Sequence, residues 1–292
     1  MSVAIAIEDA SPQRSLATRA AEAIRRNPTI AIGAAMLLAL VAVAVLAPLI
    51  AGDPLRQAPI NRMRPPSERW WFGTDQFGRD IFSRTVYGTR VSLTVGLSVA
   101  LLSSLIGLAI GLACGYFRTL DAVLMRVMDG VMAIPSILLA IALITLTRPG
   151  LVVVIVAIVI PEVPRVARVV RSVVLSIRGQ PYVESAIAGG TRSMKLLVRH
   201  ILPNTLAPLI VQGTYVCASA MLIEAGLSFL GAGVPPEIPS WGNIIAQGRT
   251  FFQIAPWSIL IPGAFLALTV LAVNMLGDGM RDALDPRLAR RM

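Results

Sequence analysis

Few side chains in this 292-residue sequence are equipped for chemistry, and the most suggestive are acid–base pairs at helical spacing. Glu162 and Arg165 stand three residues apart, as do Arg126 and Asp129. On a helix, residues at that spacing share a face and can form ion pairs. Other chemistries lack their residues. His200 is the only histidine, so no His pair can hold a metal, and neither H-E-x-x-H nor G-x-S-x-G occurs. His200 itself reads as a helix-end or interface residue. Cys114 and Cys217 lie far apart with no CxxC, which suits small packing residues better than a disulfide framework or a zinc site. Lys195 is the only lysine, and Met194 stands where a phosphate-binding G-x-x-x-x-G-K-[ST] loop needs glycine. This chain is expected to have no catalytic residue and no cofactor of its own.

The elements that carry these residues are greasy. Hydrophobic residues make up 55% of the chain and charged residues 14%. A soluble domain could not hide that much apolar surface. The composition predicts an all-α integral membrane protein. The net charge of +10 raises nucleic acid as a partner, but the basic residues flank apolar runs rather than forming a patch interleaved with aromatics. A lipid membrane, not nucleic acid, is the expected environment.

About six apolar segments are long enough to be transmembrane helices. The first, 29–50, gives a helix of about 33 Å against a hydrocarbon core of about 30 Å. It reads as an uncleaved anchor rather than a secretory signal, because it starts late and runs longer than a signal's apolar region. The others fall at about 91–117, 129–147 with an amphipathic lead-in from Leu120, 151 onward, 206–225 and 255–276. The fourth is the weakest: LVVVIVAIVI ends at Pro161, and the span must continue through PEVPRVARVVRSVVL. Glu162 then sits at membrane depth, where a lone carboxylate is costly, and Arg165 is its expected partner. The resulting organisation is a tail at 1–28, a first span at 29–50, an outer loop at 51–90, a core at 91–278 with five spans and an inner loop at 178–205, and a tail at 279–292.

Orientation follows from the basic residues. With both termini inside, the larger share of the 26 Arg and Lys residues faces the cytoplasm, as the positive-inside rule requires. These include Arg14, Arg19, Arg25, Arg26, Arg118, Arg126, the run from Arg165 to Arg199, and Arg281, Arg287, Arg290 and Arg291. Most of the remainder sit in the long loop at 51–90, where the rule weakens with distance from the span ends.

On this topology the stretch YVESAIAGGTRSMKLLVRHILPNT is cytoplasmic. Pro181 suits a first helical turn, where its missing N–H costs nothing, and Glu184 suits the helix dipole there. Gly189-Gly190 should end this helix. Thr191 or Ser193 should cap a second through Met194, Leu197, Val198 and Ile201, stopped by Pro203. From physics alone, the result is either a compact knob that meets a cytoplasmic partner or an amphipathic loop lying on the membrane.

This stretch resembles the EAA loop of permease subunits of ATP-binding-cassette (ABC) importers. Glu184, Ala186, Gly190, Leu202 and Pro203 fall in register with that pattern. Ser185 replaces an alanine and His200 an isoleucine. Further stretches resemble the dipeptide/oligopeptide "C"-type permeases: RRNPTIAIG with LAPLIAGDP at the first span, FGTDQFGRDIFSRTVYGTRVSL at 72–93, and GLSFLGAGVPPEIPSWGNII at 226–245. The resemblance implies a type I ABC importer permease fold at the cytoplasmic (inner) membrane. The elbow would then be a coupling helix seated on a cytoplasmic ATPase, with Glu184, Ser185, Ala186, Gly190, Leu202 and Pro203 as coupling residues. It implies a homologous second permease, two ABC ATPase subunits or domains that bind ATP and Mg, and an extracytoplasmic solute-binding protein. The cargo would be di- or oligopeptides, with nickel chelates or another small solute as the alternative. An ATP-independent secondary transporter fits less well, since only Glu162 and its neighbours are ionisable at mid-membrane.

Four features remain. Gly107, Gly111 and Gly115 form a double G-x-x-x-G that packs either inside this subunit or against another. Arg126, Asp129, Glu162 and Arg165 form either an inner-gate cluster or plain charge neutralisation at helix ends. The loop Gly226–Asn243 faces outward and could meet a solute-binding protein. Trp241 and Trp257 read as membrane-interface anchors.

Overall fold

A computed structural model describes residues 28–147 and 150–284. The expected tails, with Arg14, Arg19, Arg25, Arg26, Arg287, Arg290 and Arg291, lie largely outside that range. Among the described residues the secondary structure is helical: α1 (Pro28–Ile50), α2 (Ile81–Tyr116), α3 (Arg118–Ala133), α4 (Ser136–Thr145), α5 (Leu151–Arg178), α6 (Pro181–Ala188), α7 (Ser193–Leu196), α8 (Leu202–Phe229), α9 (Trp241–Gly248) and α10 (Trp257–Leu284). The only β pairing among them is a single bridge, Thr74 to Asp80.

By length and apolarity, α1, α2, α10 and the continuous unit Ser193–Phe229 can each cross a membrane. α3 and α4 together qualify as a fifth span, bent by 89°. This corrects the expected continuous third span: Pro135 caps α4, and the extended backbone at Ile134 and Pro135 breaks the helix. The expected fourth span does form one unbroken helix. α5 runs through Pro161 and Pro164, and its 28 residues reach about 42 Å. It is apolar on average, but any membrane-length stretch of it includes Glu162, Arg165 and Arg168, more charge than the other spans carry.

The second span begins at Ile81, ten residues before its apolar run, so the loop at 51–90 is shorter than expected. Asp80 caps this helix by accepting from the Phe82 and Ser83 N–H groups. At 36 residues α2 is about 54 Å long, so its first turns project beyond a hydrocarbon core. Hydropathy missed these turns because they are polar. They are nevertheless buried, with Ser83, Arg84, Thr85 and Thr89 all inside the protein.

Glycines set the central packing. A Cβ added to Gly107, Gly111 or Gly115 of α2 would lie 2.6, 2.6 and 2.5 Å from the Cβ atoms of Val166, Val170 and Val174 of α5. The two helices approach as only a glycine ridge allows. The double G-x-x-x-G therefore serves packing inside this subunit. α1 is seated on α10 the same way: a Cβ at Gly33 would lie 2.8 Å from the Ala272 carbonyl oxygen.

The connections give the molecule two ends. α6 and α7, the start of α3 and the C-terminal end of α10 share one end, called here the elbow end. Residues 51–80 and 230–256 share the other, the loop end.

Candidate functional site

At the elbow end, Pro181 opens α6 and Glu184 lies in its first turn. The helix stops as the sequence predicts, at Gly189-Gly190. Gly190 has φ 76°, a left-handed backbone that only glycine adopts freely. The Gly190 N–H donates to the Ile187 carbonyl and the Thr191 N–H to the Ala186 carbonyl, both at 3.0 Å, which is a Schellman motif. Nothing lies within 4 Å of an added Cβ at Gly190, so the requirement for glycine is conformational and not steric.

The second half of the elbow differs from expectation. Arg192, not Thr191 or Ser193, occupies the cap position, and its side chain makes no capping bond. Pro203 does not stop a helix. α7 passes through a π-helical turn, Leu197–Ile201, into α8, and Pro203 sits in the first turn of α8. Widening the turn accommodates the amide hydrogen that Pro203 lacks: the Leu202 N–H reaches back to the Leu197 carbonyl. The elbow is therefore one short helix, a glycine turn, and the extended root of a long membrane helix.

Its two faces differ sharply. Val183, Leu196 and Ile201 are fully buried in one core cluster with Val166, Val170 and Val174 of α5. Glu184, Ser185, Gly190, Met194, Lys195 and Pro203 are exposed, while Ala186 and Leu202 are half-buried. Tyr116, the last residue of α2, bonds Ser193 through its hydroxyl at 3.1 Å, and its carbonyl accepts from Arg178 at 3.1 Å. The exposed face is thus fixed to α2, α5 and α8 at once.

Toward the elbow, α5 presents arginines at successive i+3 positions, Arg165, Arg168 and Arg171. Arg165 donates to Glu162 at 2.9 Å, Arg168 to Asp129 at 2.5 Å, and Arg171 binds both carboxylate oxygens of Asp121. The expected Glu162–Arg165 pair forms. The expected Arg126–Asp129 neighbours do not pair: Asp129 turns to Arg168, and Arg126 is exposed on α3. Glu162 is fully buried, its Oε2 without a partner among the described residues, while the Arg165 side chain is 37% exposed. The pairing of Asp129 with Arg168 and of Asp121 with Arg171 leaves no mark in the sequence because it crosses between helices.

The loop end holds a buried polar cluster that hydropathy could not show. Asp75 Oδ1 accepts from the backbone of Phe77 and Arg79, and its Oδ2 takes the Arg79 Nε at 2.6 Å and the Arg84 Nη1 at 3.5 Å. Gln247 of α9 accepts from both guanidinium groups. Gly78 permits this tight turn with φ 72°, where an added Cβ would strike the Ala58 carbonyl oxygen. Nearby, Glu224 accepts from Ser228 and Ser240, both at 2.8 Å, deep in the protein. Asn243 Nδ2 holds the Val234, Pro235 and Ile238 carbonyls. Trp241 is no membrane anchor: it is fully buried and donates its Nε1–H to the Thr85 carbonyl at 3.0 Å. Trp257 is half-buried and donates to the Thr74 carbonyl. The quoted stretches at 72–93 and 226–245 are therefore the two sides of one interlocked polar unit.

Long apolar helices, a glycine-turned elbow at one end and an interlocked polar cap at the other describe a multi-pass helical membrane protein. Residues 104–290 match the family described as the binding-protein-dependent transport system inner membrane component, and the chain belongs to that family. It is 56% identical to a Sinorhizobium fredii protein named "Probable peptide ABC transporter permease protein", over 91% of this chain and 92% of that one. It is 42% identical to a dipeptide transport system permease protein of Alkalihalophilus pseudofirmus, over 91% of this chain and 88% of the relative. An oligopeptide transport system permease protein of Bacillus subtilis is 37% identical, over 91% and 88%. Among solved structures, an inward-facing form of the MetNI methionine ABC transporter aligns with a TM-score of 0.59 at 23% identity, covering 70% of this chain and 98% of that chain. The fold is that of a type I ABC importer permease, in an inner-membrane, multi-pass protein.

Proposed function

We propose that this chain is a non-catalytic permease subunit that carries di- or oligopeptides inward across the cytoplasmic membrane. The relatives named for peptide, dipeptide and oligopeptide transport support that cargo over nickel chelates or other small solutes. Partners follow from the family: a homologous second permease, two ABC ATPase subunits or domains that bind ATP and Mg, and an extracytoplasmic solute-binding protein. Both termini and the elbow end face the cytoplasm in this reading, which rests on the Arg and Lys asymmetry.

One observation carries the mechanism: the elbow exposes Glu184 and Ser185 while Val183, one residue away, is fully buried in the core that contains α5. When the ATPases close on ATP, a groove holding the exposed face of α6 moves with them. The buried face and the Tyr116–Ser193 tie carry that displacement into α2, α5 and α8. Glu184, Ser185, Ala186 and Gly190 form the contact and its fixed turn, and Leu202 and Pro203 form the root that enters α8. Arg168 and Arg171, paired with Asp129 and Asp121, hold α3 to α5, and with the Glu162–Arg165 pair inside α5 they act as an inner gate; Arg126 is exposed on α3 beside them.

The reading is tested by uptake into proteoliposomes holding the full complex, with binding protein outside and ATP inside. Labelled di- and oligopeptides should accumulate only with ATP and binding protein present. Accumulation of a nickel chelate but no peptide would move the cargo to the alternative, and ATP-independent uptake would remove the ATPase partners.

A further inference from the structure

The loop end contains a pocket whose floor carries more positive than negative charge. Arg79 and Arg84 are both buried and share a single carboxylate, Asp75, and a single amide oxygen, that of Gln247. Among the described residues, the buried Arg84 Nε has no partner. Two buried guanidinium groups thus share one buried carboxylate, and the excess positive charge is only partly neutralised within the cluster, an arrangement that an added anion would relieve. Directly over it lies an open pocket of ≈ 440 Å³ lined by Leu55, Gln57, Gln76, Phe77, Pro236 and Glu237, with Arg79 and Gln247 at its base. Glu237 is exposed and, among the described residues, pairs with neither arginine. The pocket offers an apolar wall, amide donors and an under-neutralised guanidinium, which together fit a carboxylate on an apolar stem.

We infer that this pocket receives an acidic side chain of the solute-binding protein, which completes the Arg79–Asp75–Arg84–Gln247 cluster when that protein docks. The inference rests on the topology and partners proposed above. A soluble partner is favoured over the second permease because the pocket is built from the connecting segments 55–79 and 236–247, beyond the apolar stretches of the helices. A peptide cargo could bring the same chemistry in its C-terminal carboxylate, so the experiment separates the sources.

The test uses the complete reconstituted complex. Gln57 is exposed and makes no side-chain bond among the described residues. Since Lys195 is the only lysine and lies at the other end, Gln57→Lys supplies one amine at the pocket wall. In a Glu237→Gln background, a zero-length carbodiimide should join that amine to an Asp or Glu of the loaded binding protein, identified by mass spectrometry. Gln247→Glu, which neutralises the cluster from within, should raise the half-saturating concentration of binding protein for ATPase stimulation about five-fold or more. Ser67→Ala, at an exposed bond of the same end and outside the pocket, should change it by less than about two-fold. A cross-link to the peptide or to the second permease, or no cross-link with unchanged half-saturation in Gln247→Glu, overturns the inference and leaves the transport reading intact. If the wild-type complex does not respond to binding protein at all, the transport reading fails first and takes this inference with it.

Discussion

A Cβ placed on Gly111 would lie 2.6 Å from the Cβ of Val170, closer than real Cβ contacts come. The α2–α5 seam therefore needs glycine at that position for steric reasons, and the seam joins the elbow to the rest of the bundle. Gly111→Val should cost about 1–3 kcal/mol or block assembly. Gly130→Ala, at a glycine with nothing within 4 Å, should be neutral or stabilising by up to about 1 kcal/mol. Thermal unfolding of the purified subunit followed by size-exclusion chromatography separates them. Equal midpoints would contradict the packing.

The ion pair in α5 is asymmetric, and its variants should be too. Removing Arg165 strands a fully buried carboxylate, whereas removing the charge of Glu162 leaves a guanidinium that already reaches solvent. Arg165→Leu should lose on the order of 2 kcal/mol or more and most transport, and Glu162→Gln should be milder. The measurement is unfolding and peptide uptake for both. Wild-type values in both variants would mean the pair contributes nothing.

At the loop end, Ser240 has two tasks: it donates to buried Glu224 and accepts from the Asn243 N–H as the cap of α9. Ser240→Ala should cost about 1–3 kcal/mol, since one change leaves a buried acceptor short and removes a cap. Ser67→Ala, at an exposed loop bond, should cost less than about 0.5 kcal/mol. Comparable melting of the two would show the Glu224 cluster to be structurally idle.

The orientation can be read from accessibility. Ser193 at the elbow end and Gln57 at the loop end are both exposed, whereas Cys114 and Cys217 are buried. In a background without those two cysteines, Gln57→Cys should react with an impermeant maleimide in intact cells, and Ser193→Cys only after the membrane is opened. The reverse pattern would invert the topology.

How far the sequence reveals this molecule depends on where each interaction closes. The turn at Gly189-Gly190 was legible because a helix end is a local event written in adjacent residues. The Glu162–Arg165 pair was legible because both partners sit on one helix. The bonds of Asp129 to Arg168 and Asp121 to Arg171 were not, because hydropathy and spacing say nothing about which helices meet. Arg84 reads as loop from its polar surroundings, yet a buried network makes that segment helix. Trp241 passed for a membrane anchor because its partner, the Thr85 carbonyl, lies far away in sequence. Pro203 passed for a helix stop because a π-helical turn that absorbs its missing N–H leaves no mark in composition.

The central claim is that the elbow transmits the ATPase stroke, and stimulated ATP hydrolysis by the reconstituted complex tests it most directly. Gly190→Val forces a β-branched residue into a left-handed turn, at about 1 kcal/mol or more, in a loop with free space around it. Glu184→Lys reverses an exposed charge on α6. Both variants should insert and assemble, yet hydrolysis should no longer rise on adding loaded binding protein, and peptide uptake should fall in step. Full stimulation with normal uptake in both would mean that the segment is a surface loop and that the stroke enters the membrane helices elsewhere.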